Sequence, residues 1–140
     1  MSSYLEKLGE VIYWEDYMIF FGGKNAVLSD METHLPQKEL CLLKQTHGDV
    51  LQEAQSSPVL QGDAHYTSDR KKIILIQTAD CLPIMMVSPK SGIMMAVHAG
   101  WRGVLQKITE KSLLAKSMND SELRVWVGPH IQQKSFEVDK

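Results

Sequence analysis

Three side chains in this sequence have types and positions that could do chemistry together: His47, Cys81 and His98. Each closes a stretch that reads as a β-strand. Cys81 follows Ile73-Ile74-Leu75-Ile76-Gln77-Thr78-Ala79-Asp80, His98 follows Ile93-Met94-Met95-Ala96-Val97, and His47 follows Leu40-Cys41-Leu42-Leu43-Lys44-Gln45-Thr46. Two imidazoles and a thiolate suit Zn²⁺, a borderline-soft ion that takes nitrogen and sulfur ligands. Three protein ligands leave a fourth position open, which marks a catalytic rather than a structural zinc site.

The flanking residues extend this set. In Thr78-Ala79-Asp80-Cys81-Leu82-Pro83 a cysteine stands beside an aspartate between two apolar runs. A free cysteine is often only a small buried hydrophobe; the functional readings of Cys81 are a metal ligand or a nucleophile activated by histidine. Asp80 is a candidate general acid or base, or a partner that orients a histidine ligand. In His98-Ala99-Gly100-Trp101-Arg102-Gly103 a strand gives way to a helix. The two glycines permit close backbone approach, the helix start offers free N–H groups, and Arg102 adds a planar charged fork suited to phosphate. His34, His65 and His130 belong to no such set and read as structural residues. Cys41 reads as inert core, and Arg70-Lys71-Lys72 as a solvated turn.

Bulk properties narrow the classes. The 140 residues suffice for one domain with one core, and 44% apolar with 23% charged residues is ordinary for a soluble globular protein. A net charge of −2 gives no reason to expect nucleic acid or an anionic membrane as partner. Two cysteines make no disulfide framework and fit a reducing compartment. Glu6, Lys7, Glu10, Glu15 and Asp16 interrupt any secretion signal, and no apolar run approaches the ~20 residues of a membrane helix. The expectation is a cytoplasmic protein.

The elements that must position these residues follow from the patterning. Residues 1–22 read as short strands with turns, among them Val11 to Trp14 and Met18 to Phe21, and Ser29 to Glu39 as loop or short helix. Leu40 to Lys44 reads as a strand, Val50 to Ala54 as another, and Gly62-Asp63 as a turn. Ile73 to Gln77 reads as a strand buried on both faces, followed by a second over Leu82 to Val87 and a third over Ile93 to Val97. Helical spacing runs from Gly103 to Met118, with Val104, Leu105, Ile108, Leu113 and Leu114 near one face. A last strand covers Leu123 to Val127. This order predicts an α/β domain with a mixed sheet. Beyond it, Phe136-Glu137-Val138-Asp139-Lys140 shows no element expected to dock on the core, so the expected domain, residues 1–140, is one completed by further polypeptide or by a second copy.

Taken together and in this order, the motifs resemble the laccase-domain, or polyphenol oxidase, family, whose members are described as zinc-binding purine nucleoside phosphorylases. The resemblance rests on Gln45-Thr46-His47-Gly48, Thr78 to Pro83, His98 to Gly103, and Gly128-Pro129-His130-Ile131 with Phe136-Glu137-Val138. It implies that His47, Cys81 and His98 bind the catalytic zinc. It also implies phosphorolysis of adenosine, inosine and methylthioadenosine to free base and ribose 1-phosphate, with adenosine deamination as a second activity. The implied fold is a layered α/β sandwich related to the necrotizing-factor toxins, whose site is a Cys–His pair. In that reading Arg102 and the helix start hold phosphate, Asp80 is a general acid or base or orients a histidine ligand, and the partners are a small nucleoside and phosphate, with a homo-oligomer as one way to complete the pocket. The chain departs from the family where Lys134 and Ser135 replace frequent cysteines, where Phe21 precedes Gly22-Gly23, and in lacking the family's C-terminal part.

Other readings keep the residues. Cys81 as nucleophile and His98 as base would make a metal-free hydrolase. The family's older name suggests copper oxidase chemistry, but no axial methionine is evident and five histidines are too few for a multicopper enzyme. Editing of peptidoglycan precursors is a further role proposed for some bacterial members. A degenerate zinc-binding domain without turnover is the non-enzyme alternative.

Overall fold

The structure is a computed structural model that describes residues 2–137. It divides into two compact units, Met1–Glu39 and Leu40–Lys140. The first holds α1 (Ser2–Leu8), β1 (Gly9–Trp14), β2 (Tyr17–Gly22) and α2 (Leu28–His34). The expected short strands form an antiparallel hairpin that pairs Gly9 with Gly22 and Trp14 with Tyr17. Its tight turn places Glu15 at φ 51, and Trp14 stacks on Tyr17 with ring centroids 5.9 Å apart. Along β2, Tyr17, Ile19 and Phe21 are buried while Met18 is exposed, the two-residue period of a half-buried strand. Ser2–Leu8 differs from the expectation: it forms α1, ahead of the hairpin.

The second unit carries the motifs. In chain order it contains β3 (Glu39–Cys41, beginning at the boundary residue), β4 (Leu43–Lys44), β5 (Leu51–Glu53), β6 (Leu60–Gln61), β7 (Ala64–Thr67), β8 (Lys72–Ile74), β9 (Leu82–Ser88), β10 (Ile93–Ala99), α3 (Trp101–Leu105), α4 (Ile108–Ala115) and β11 (Arg124–Val127). Five strands form one sheet in the order β11-β9-β10-β7-β5. Only β5 against β7 is parallel in it, so the sheet is mixed as the patterning predicts. Two further pairs, β3 with β8 and β4 with β6, lie outside that sheet.

β9 and β10 are central, which explains their near-continuous apolar runs. Residues directly opposite each other across a strand pair share a face. Met86 opposite Met95, and Ile84 opposite Val97, therefore point to the side where Ala64, Ile108 and Met118 complete the core. Ala96 opposite His65 points to the other side, and both are fully buried.

Three expectations change. Ile73 to Gln77 does not form a strand buried on both faces; β8 is three half-buried residues, and beyond it the Leu75 N–H bonds the Cys41 carbonyl while the Gln77 backbone bonds the Gln45 side chain. Past β8 a glutamine side chain, not a neighbouring strand, bonds the Gln77 backbone. The helix expected from Gly103 to Met118 is broken into α3 and α4 by Lys107, held at φ 60. The break turns much of its apolar stripe outward: Ile108 is buried, but Val104, Leu105 and Leu114 are exposed. Gly62-Asp63 is not a surface turn but the buried lead into β7, a strand with no apolar alternation to announce it. Of the C-terminal motif, Val138, Asp139 and Lys140 lie outside the described residues.

Candidate metal centre

The sheet register brings the three candidate ligands together. Ala99 pairs with Leu82 across β10 and β9, so the next step along each strand sets Gly100 against Cys81. His98 lies one residue inside the end of β10, opposite Pro83. His47 arrives from the loop after β4 at φ 59, in the left-handed region. The ligand atoms of His47, Cys81 and His98 all lie within 4.8 Å of one another. The two imidazoles meet edge to face with centroids 4.9 Å apart. His98 is buried, Cys81 half-buried and His47 exposed, so the cluster opens to solvent on the His47 side.

The space around the cluster is kept by a glycine. Gly100 has φ −71 and ψ 167, a conformation open to any residue. A Cβ there would stand 3.1 Å from His47 Cδ2 and 3.4 Å from Cys81 Sγ. A side chain at this position would crowd the His47 ring, although the backbone would accept one. Both the nitrogen and sulfur donor set and this cleared space fit a bound metal ion.

A residue that the sequence reading placed in a turn lies at the centre of the hydrogen bonding. Asp63 is fully buried. Its Oδ1 accepts the His47 N–H at 2.9 Å and faces His98 Nδ1 at 2.8 Å. Its Oδ2 accepts the N–H groups of Thr46 at 3.1 Å and Gly48 at 2.9 Å, and the Thr46 hydroxyl at 3.1 Å. Burial alone would raise this carboxyl's pKa, but the bonds to His98 and to the Gly48, Thr46 and His47 backbone outweigh it and hold the group below its ordinary value. The Cys81 thiol is pushed up by burial and by the negative charges of Asp80 and Asp63.

The remaining candidates are placed more loosely. Asp80 is exposed, next to Cys81 in sequence, and its carbonyl accepts the Ile131 N–H at 3.0 Å. The chain after β11 thus runs beside the Asp80 backbone. Arg102 is exposed on α3, with its guanidinium 5.3 Å from the Trp101 ring centroid. α3 is five residues long, much shorter than the helix whose start was expected to attract an anion. Cys41 is fully buried, as expected of inert core. His34 packs against the Tyr4 ring and His130 Nδ1 lies 2.9 Å from the Gly128 carbonyl, which fits their reading as structural residues. His65 is fully buried. Burial brings its pKa down to about 4, with the Leu75 backbone acting in the opposite direction.

The motifs, the mixed sheet and a three-residue cluster that could hold a metal ion fit the laccase-like class. The chain belongs to the multi-copper polyphenol oxidoreductase laccase family, whose model matches residues 23–140. Among curated relatives, a purine nucleoside phosphorylase of Pseudomonas aeruginosa is 38% identical over 96 residues, covering 69% of this chain and 40% of the relative. One from Clostridium acetobutylicum is 31% identical over 105 residues, covering 71% of this chain and 44% of the relative. Among solved structures, YlmD from Geobacillus stearothermophilus superposes with a TM-score of 0.69 at 26% identity, covering 79% of this chain and 47% of that one. The chain therefore spans less than half the length of these relatives. No helix among the described residues is long and apolar enough to cross a membrane.

Proposed function

We propose that this chain carries the zinc centre of a purine nucleoside phosphorylase. The observation that carries the reading is the convergence of His47, Cys81 and His98 within 4.8 Å, from three separate segments at or near strand ends, with His47 exposed to solvent. His47, Cys81 and His98 would hold the ion. A zinc ion with an open position supplies Lewis acidity and a means of activating water. The substrates proposed are adenosine, inosine and methylthioadenosine, with inorganic phosphate, in line with the names of the relatives and with the family resemblance.

In this reading the chain's own residues divide the work. Arg102 presents a two-pronged cation to phosphate, and an exposed side chain is free to turn towards one. Asp80 moves a proton at the purine or at the departing base. Adenosine deamination at C6 is proposed as a second activity of the same centre. The nucleoside reaches the cluster past His47, its exposed member.

One observation favours a second reading. The order Asp63–His98–Cys81 is also that of a nucleophile triad, in which a carboxylate orients a histidine that activates a thiol. One feature weighs against a metal-free hydrolase: His47 adds a third donor that a thiol nucleophile does not need. Alkylation separates the two. If zinc protects Cys81 from iodoacetamide and phosphate-dependent adenosine cleavage requires zinc, the phosphorylase reading stands. Rapid labelling of zinc-loaded protein, or cleavage by zinc-free protein, sinks it.

A further inference from the structure

We infer that Asp63 is the positioning residue of this centre, a single buried carboxylate that orients both imidazoles towards the ion. The inference rests on the metal reading above and deepens it. Asp63 Oδ1 alone touches both histidines: it accepts the His47 backbone N–H and the proton on His98 Nδ1. A carboxylate is only an acceptor, so the proton in the His98 contact belongs to the imidazole. That assigns His98 the tautomer protonated on Nδ1, with the Nε2 lone pair free for a metal.

The second oxygen acts on the other ligand. Oδ2 gathers the Thr46 and Gly48 N–H groups and the Thr46 hydroxyl. With the His47 N–H on Oδ1, three consecutive backbone donors converge on one side chain. This convergence holds His47 at φ 59, an unfavourable conformation for a residue with a Cβ. A loop bent in this way places the His47 ring against His98. One carboxylate thus joins two candidate ligands 51 residues apart in the chain. The sequence hides this, since Asp63 has the company of a turn residue and its partners lie 15 to 17 residues before it and 35 after.

Asparagine has the same shape but replaces one acceptor with a donor. If Nδ2 faces His98, it donates to Nδ1 and drives the imidazole proton to Nε2, the atom the metal requires. If it faces Thr46 and Gly48, it confronts backbone donors and the loop loses its hold. Either outcome weakens binding.

Zinc affinity of the 140-residue chain, measured with zinc alone against a competing chelator, tests this beside the imidazole ¹⁵N shifts of the zinc-free protein. The expected results are an Nδ1-protonated His98 in wild type and a zinc affinity roughly 10- to 100-fold lower in Asp63→Asn, the range typical of lost partners of metal ligands. In folded Asp63→Asn the His98 proton should move to Nε2 or exchange between the two nitrogens, a change that a merely structural role would not cause. Should the variant not fold, the wild-type tautomer still decides: a zinc-free wild type with the His98 proton on Nε2 overturns the inference. Equal zinc affinity in both proteins overturns the inference alone, whereas a wild type that takes up no zinc overturns the metal reading with it.

Discussion

At the scale of single residues, room matters as much as donors. Gly100 lies at the crossing of β10 and the Cys81 turn, where a Cβ would press on His47 and approach Cys81. Gly100→Val should lower zinc affinity by about tenfold or more, comparable to other disturbances around a ligand set. The zinc-free melting temperature should fall much less than the affinity, because φ −71 accepts valine. Chelator competition and thermal melting of the same sample check this; an affinity equal to wild type would show that the space is not used. The three candidate donors were legible in the sequence because each falls in a recognisable motif at or near the end of a strand-like stretch. Asp63 was not, because hydrogen-bond partners brought in by long-range folding leave no local pattern. Gly62-Asp63 looks the same whether it turns at the surface or enters a buried strand.

At the scale of elements, the sheet was easier to read than its neighbours. β9 and β10 announce themselves by apolar runs that only central strands need. The helix after β10 was misread because spacing reports a possible stripe, not the backbone's ability to continue. Lys107 at φ 60 stops α3, and nothing in Gln106-Lys107 signals it, since neither glycine nor proline marks the break. This left-handed lysine costs stability that glycine would not. Lys107→Gly should therefore stabilise the fold by about 0.5–1 kcal/mol, read as a higher urea midpoint with an unchanged slope. A lower midpoint would mean that the lysine side chain contributes more than its backbone strain costs. The short β8 has a related lesson. Ile73 to Gln77 has the composition of a buried strand, yet Gln45 takes the Gln77 backbone bonds and the ladder ends early.

At the scale of the whole molecule, buried His65 ties stability to pH. Its folded pKa is about 4, against 6.5 for the ordinary group, so between these values the unfolded chain holds a proton that the folded chain does not. Stability is complete above about pH 6.5 and is lost as pH falls towards 4. Between pH 7 and 5 this histidine should cost about 2 kcal/mol. Urea unfolding of zinc-free protein at both pH values should show the loss in wild type and a clearly smaller one in His65→Phe; equal losses would assign the effect to other groups. The chain spans less than half the length of its curated relatives, yet all three donors fall within its second unit, so the centre can be tested on this chain as it stands. The most direct test is the metal content of protein purified without chelator, wild type beside Cys81→Ala, by elemental analysis. The expected result is about one zinc per chain in wild type and almost none in the variant, because losing one of three protein ligands is severe. Wild type without zinc, or a variant that keeps it, would contradict the metal centre; copper in place of zinc would keep the site and overturn the identity of its ion.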